Sequence, residues 1–291
     1  MVPPYSGPLN RFDHGGPLQD SDIRLVGIDV DGTLVGTGGI IHPSVWKAAK
    51  RARDAGIHLA LCSGRPAFGV ALEYARQLEA GGWHVFQNGA SILNLATGKS
   101  RSVPIPLSWK QTLIDQARRS GEVLELYADT AYVAESNSQW AREHAALLGV
   151  AFAPQPFESL TQPIVRAQWL LSRERAAAFT AIPHSGLEVA QSSSPLMPDT
   201  QFVGLTRQDV TKGSAVRGIA EEYGVALQDV MYVGDAGNDL SALLIVGHPI
   251  AMANADPEVL KAARHCVGHV DRGGLAQALE LAINTAKVMK A

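Results

Sequence analysis

Two cysteines are all the chain has, Cys62 and Cys266, and they form neither a CxxC pair nor a metal-binding spacing. A disulfide-built scaffold is therefore excluded, and two small buried thiols are the expected reading. No apolar run approaches membrane-spanning length, and residues 1–20, rich in Pro, Gly and polar groups, lack the apolar stretch of a signal peptide. The expectation is a cytoplasmic protein with a flexible lead-in over 1–20 and no membrane partner. A charge excess is missing too: 28 acidic side chains stand against 25 basic ones. No global field draws the chain to nucleic acid or anionic lipid, so any anion it binds must be held locally. Apolar residues are plentiful, at 46% of 291 residues. That is enough for one large or two modest domains with a substantial core.

Short aliphatic runs at Ile23 to Ile28, Ile57 to Leu61, Trp83 to Phe86, Val230 to Val233 and Ile250 to Met252 read as strands buried on both faces. Helical stretches at Ser44 to Asp54, Phe68 to Leu78, Ser214 to Glu222 and Leu240 to Ile245 alternate with them, Ser44 serving as N-cap and Gly56 as stop. This alternation predicts a Rossmann-like doubly wound α/β core with a parallel sheet, built from 21–98 and 198–291. The middle differs. Leu124 to Tyr127 and Ala131 to Ala134 flank Asp129 and Thr130 like a hairpin, and Val165 to Leu171 is a further strand. Residues 99–197 are expected to form an inserted α/β domain.

The first strand ends in Asp29, Val30, Asp31, Gly32 and Thr33, at the carboxyl mouth where open α/β sheets bind ligands. Two like charges on one face repel, so the pair makes sense when a divalent cation neutralises it; Thr33 is placed to hydrogen-bond the preceding carboxylate. By itself such a pentapeptide also fits a strand-end turn. Ser63 and Gly64 follow the second strand and offer a hydroxyl and backbone N–H groups to a phosphate oxygen near a helix start. Lys212 just precedes a helix, and the strand at Val230 runs into Gly234, Asp235, Ala236, Gly237, Asn238 and Asp239, a second acidic cluster. Arg65 and Asn88 lie close enough to these stretches to be substrate contacts.

Taken in order, these segments resemble the four motifs of the haloacid dehalogenase superfamily, over most of the chain. Asn88, Gly89 and Ala90, with Ile250 to Ala255, further resemble its Cof-type sugar-phosphatase branch. The resemblance implies that Asp29 is the nucleophile and a metal ligand. It makes Asp31 a ligand through its carbonyl and the general acid and base, and Asp235 the further ligand. Asn238 and Asp239 would support the metal shell, and Ser63, Gly64 and Lys212 would bind the transferring phosphoryl group. The oxygen-only ligand set suits Mg2+, and the chemistry implied is phosphate-ester hydrolysis through an aspartyl phosphate.

A stretch as long as Arg65 to Lys212 leaves room for the inserted domain only after the third strand, and in the superfamily such an insertion is a cap that reads the leaving group. Tyr127, Tyr132, Arg166, Gln168 and Trp169 are among the candidates to line it, none singled out. The substrate implied is a small phosphorylated metabolite, typically a sugar phosphate. A phosphomutase or phosphotransferase of the same superfamily is the alternative, and a phospho-accepting regulatory module a more remote one. His265, Cys266 and His269 lack a fourth ligand and are not read as a metal site.

Overall fold

A computed structural model of the chain describes residues 22–194 and 196–285; the lead-in expected over 1–20 lies outside them. In chain order the main elements are β1 (Leu25–Ile28), α1 (Ser44–Asp54), β2 (His58–Leu61), α2 (Gly69–Glu79), β3 (Trp83–Phe86), β4 (Ser91–Asn94), α3 (Leu107–Ser120), β5 (Val123–Tyr127), β6 (Tyr132–Ala134) and α4 (Gln139–Leu148). They continue as β7 (Arg166–Leu171), α5 (Arg173–Thr180), β8 (Leu187–Ser194), β9 (Met197–Arg207), α6 (Lys212–Tyr223), β10 (Val230–Gly234), α7 (Leu240–Leu243), β11 (His248–Met252), α8 (Pro257–Ala262), β12 (His265–Val267) and α9 (Gly274–Thr285). The described residues form two compact units, 22–61 with 220–285, and 62–219. Among them no helix is long and apolar enough to cross a membrane.

The first unit is built on a five-stranded sheet in the order β12-β11-β10-β1-β2, parallel throughout. This is the Rossmann-like α/β core that the alternating pattern predicts. Every residue of β1, β10 and β11 is buried, which is why their sequences show no polar alternation. In α1 the buried face is Val45, Ala48, Ala49 and Ala52, a helical stripe of small side chains. Ser44 does not cap this helix. It is the first helical residue, after Pro43, and its Oγ lies 2.7 Å from His42 Nδ1. Gly56 does end it, at φ 81°.

The second unit carries a two-stranded antiparallel pair, β3 with β4, and Cys62 bridges to Val85 in parallel. Its larger sheet, in the order β6-β5-β7-β9-β8, is antiparallel. Strand β9 belongs to this sheet although it runs to Arg207, beyond the boundary expected at 197. One face of the sheet is apolar: Leu124 and Leu126 of β5, Ala167, Trp169 and Leu171 of β7, and Val203 and Leu205 of β9 pack with Leu113 and Ile114 of α3 and Phe179 of α5. Trp169, a candidate pocket residue from sequence, is fully buried in this core. The opposite face alternates with it and carries Glu125, Tyr127, Arg166 and Gln168, paired across the strands as Glu125 with Gln168 and Tyr127 with Arg166.

Strand β3 buries a histidine. His84 is fully buried, its Nε2 lies 2.9 Å from the Glu79 carbonyl oxygen, and burial pushes its pKa down from 6.5 to about 4. The folded protein holds it neutral, whereas the unfolded chain protonates it near its ordinary value. Between those two values the unfolded state binds more protons, so stability is fully present above pH 6.5 and lost as pH falls toward 4. The loss amounts to about 3 kcal/mol. Urea unfolding of His84→Gln should show lower stability than the parent at pH 7 and a shallower decline down to pH 4.5.

Candidate active site

In the first unit the site begins where β1 stops. Asp29 N–H still donates to Val233 O at 3.0 Å, which holds the residue in register with β10. The N–H groups of Thr33, Leu34 and Val35 then all turn back onto Val30 O. Gly32, at φ 90°, makes that reversal possible. A Cβ on Gly32 would stand 2.1 Å from Asp235 Oδ2, so only glycine lets the turn approach that carboxylate. Thr33 bonds the carboxylate of Asp235 and not that of Asp31, contrary to the sequence expectation. Its Oγ1 donates to Asp235 Oδ1 at 2.8 Å.

Carboxylate oxygens of Asp29, Asp235 and Asp239 lie within 4.8 Å of one another, with Asp29 and Asp239 buried and Asp235 half-buried. Three such groups repel unless a cation stands among them, and an all-oxygen set of this kind fits a magnesium ion. The oxygens of Asp239 are already engaged. Oδ2 accepts the N–H groups of Asp235 (3.0 Å) and Ala236 (3.1 Å), and Oδ1 accepts the Tyr232 hydroxyl (2.7 Å). Asp31 is exposed on the turn, and Asn238 is exposed beside Asp239.

Asn254 was not singled out from sequence, although its segment was. Its Nδ2 donates to Gly32 O at 2.8 Å and its Oδ1 accepts Val270 N–H at 3.0 Å, which fixes the turn after Asp31. Asp271, also unforeseen, accepts the N–H and hydroxyl of Thr37, and those bonds hold its carboxyl below the usual carboxylate range.

In the second unit the turn Ser63–Arg65 is clamped by backbone bonds. Ser63 N–H donates to Val85 O, Asn88 N–H to Ser63 O and Gln87 N–H to Arg65 O, each at 2.9 Å. Ser63 is buried, and its Oγ accepts the Arg65 N–H at 3.0 Å. The Asn88 amide lies against Gly64, where a Cβ would stand 3.1 Å from Asn88 Oδ1. Gln87 and Asn88 both adopt left-handed backbone, at φ 52° and 57°, a conformation that costs energy in non-glycine residues. A Cβ on the following Gly89 would stand 2.2 Å from Thr211 O and 3.3 Å from Lys212 N, so this loop sits directly on the start of α6. Lys212, the first residue of that helix, is 1% exposed. The turn Ser63–Arg65 and the loop Gln87–Gly89 that carries Asn88 are thus bonded to each other, and Gly89 packs that loop against the start of α6 at Lys212.

Residues 26–279 match the family model of the haloacid dehalogenase-like hydrolases. The chain belongs to that family. The resemblance carried by its four motifs is therefore borne out over nearly its whole described length. It is 24% identical to the Bacillus subtilis 5-amino-6-(5-phospho-D-ribitylamino)uracil phosphatase YwtE, across 87% of this chain and 96% of the relative. It is 25% identical to the phosphoglycolate phosphatase of Methanothermobacter thermautotrophicus, across 88% and 97%. Among solved structures, a haloacid dehalogenase-like hydrolase from Bacteroides thetaiotaomicron superposes with a TM-score of 0.78 at 26% identity, covering 89% of this chain and 99% of the other.

The stretch His265 to His269, not read as a metal site, opens on strand β12 just after α8 ends at Ala262. Within it Cys266 is exposed, which corrects the reading of two buried thiols; Cys62 is buried as expected.

Proposed function

We propose that the protein is a magnesium-dependent phosphatase that hydrolyses small phosphorylated metabolites, sugar phosphates foremost, through an aspartyl phosphate on Asp29. The observation that carries this reading is the cluster of Asp29, Asp235 and Asp239 oxygens at the ends of the neighbouring strands β1 and β10. Two relatives named as phosphatases of quite different small phosphate esters support the substrate class.

Asp29 attacks phosphorus through a carboxylate oxygen and becomes the aspartyl phosphate while the ester bond to the leaving oxygen breaks. Asp31, exposed two residues on, gives its proton to that oxygen. In the second half Asp31 takes a proton from water, the water oxygen bonds to phosphorus, and inorganic phosphate leaves with Asp29 restored. Asp29 and Asp235 hold the cation, with the Asp31 carbonyl as a further ligand. Asp239, occupied by two loop N–H groups and a tyrosine hydroxyl, orients Asp235, and Asn238 supports the same shell. When bound, magnesium supplies positive charge to the phosphoryl oxygens. Ser63, Gly64 and Lys212 bind those oxygens in this reading, and a buried lysine with a hydroxyl and backbone N–H groups is the donor set a loose phosphoryl transition state requires. Arg65 and Asn88 are assigned as further substrate contacts.

Phosphate release from an aryl phosphate ester tests the proposal. Turnover should be steady in magnesium, fall by at least ~100-fold in EDTA and return when magnesium is added back. Undiminished turnover in EDTA would remove the metal-dependent reading. Isomerisation of a hexose phosphate without phosphate release would replace it with a mutase.

A further inference from the structure

On the phosphatase reading above, we propose that Arg166 recognises the leaving group, and that the natural substrate carries there a second anionic oxygen group, a carboxylate or a further phosphate. Arg166 opens strand β7 on the polar face of its sheet, opposite Tyr127. Its Nη1 donates to Gly64 O at 3.3 Å, so the guanidinium reaches the turn assigned above to phosphate, and its Nη2 donates to Gln168 Oε1. Gly204, on the neighbouring strand, keeps the space beside it open, since a Cβ there would stand 3.3 Å from Arg166 Nε. The Tyr127 ring lies 5.6 Å from the guanidinium carbon and stacks with Tyr132 and Phe68, giving the cation an aromatic flank.

The charge of Arg166 is what points to an anion. Arg51, Arg118 and Arg175, all more exposed, each hold a carboxylate within salt-bridge distance. Among the described residues Arg166 has none, although it is half-buried. The nearest acidic group in its network is Glu125, whose oxygens already take the Tyr127 hydroxyl (2.5 Å), His144 Nδ1 (2.8 Å) and Gln168 Nε2 (3.2 Å). Glu125 reaches Arg166 only through the Gln168 amide. Burial lowers the Arg166 pKa, with Tyr127 and Glu125 pulling it back in part. A substrate that displaces water from this guanidinium makes an uncompensated cation costlier still, unless it brings negative oxygens of its own. Most of the guanidinium's donors are left over to receive them bidentately.

Matched phosphate esters decide the matter: glycerol phosphate against a phosphoglycerate for the carboxylate, and a hexose monophosphate against the corresponding bisphosphate for the second phosphate. The wild type should favour one anionic member by at least about tenfold in kcat/KM, mostly through KM, and the favoured pair names the anion. Arg166→Gln should bring that ratio close to one, and Arg166→Lys should keep part of it. Equal rates on both members of both pairs in the wild type would overturn the proposal, a result that holds even if the variants fail to fold. A variant that slows anionic and neutral esters alike would also overturn it, leaving Arg166 as a brace for Gly64. Absence of magnesium-dependent release from every ester, the aryl phosphate included, would sink the phosphatase reading itself.

Discussion

Asp29→Asn should lower phosphate release by at least ~1,000-fold in kcat and leave the protein folded. The amide matches the carboxylate in shape but is too weak a nucleophile to open a phosphate ester, and it forms no acyl phosphate. Acid-quenched wild type should carry a phosphate-mass adduct on the peptide containing Asp29, and the variant should carry none. The metal-free variant should also melt at a higher temperature than the wild type, because one of three crowded carboxylates has lost its charge. Retained turnover with an adduct on another residue would place the nucleophile elsewhere.

Asp239→Ala should cost about 3 kcal/mol of stability or more, since it removes a carboxylate that accepts the buried Tyr232 hydroxyl and the N–H groups of Asp235 and Ala236. Those N–H groups fix the loop that carries Asp235, so magnesium should also bind ~10 to 100-fold more weakly, as when a support behind a metal ligand is removed. Asp239→Asn should fall between. Its oxygen can still serve the loop N–H groups, but its amide group turns a donor toward the tyrosine. Urea unfolding and a magnesium titration by calorimetry read the two effects separately. Unchanged metal affinity in a destabilised Asp239→Ala would limit Asp239 to a structural part.

The strands of the parallel sheet were legible because they are buried on both sides, and an unbroken aliphatic run such as that of β10 has little else to become. Helix α1 was legible from Ser44 to Asp54, with Gly56 closing its end. Strand β8 was not. Its sequence turns to alanine, glutamine and serine at the sheet's edge, exposed over most of its length, where no apolar alternation marks it. The acidic residues of the candidate site stood out by type and order, but their partners did not. Thr33 finds Asp235 and Asn254 finds Gly32 across separations of more than two hundred residues, and local spacing holds no trace of such pairings. The left-handed backbone at Gln87 and Asn88 was equally invisible, because neither residue type demands it.

Strand β1 lies between β2 and β10, with Val26 beside Leu59 on one side and Met231 on the other. During synthesis the first of these neighbours leaves the ribosome soon after β1, but the second follows only about two hundred residues later. Until then β1 has an open edge, and Asp29 lacks the carboxylates it is grouped with. The nascent chain therefore cannot assemble this acidic cluster early, and the parallel sheet is completed only after the whole of the second unit has been translated.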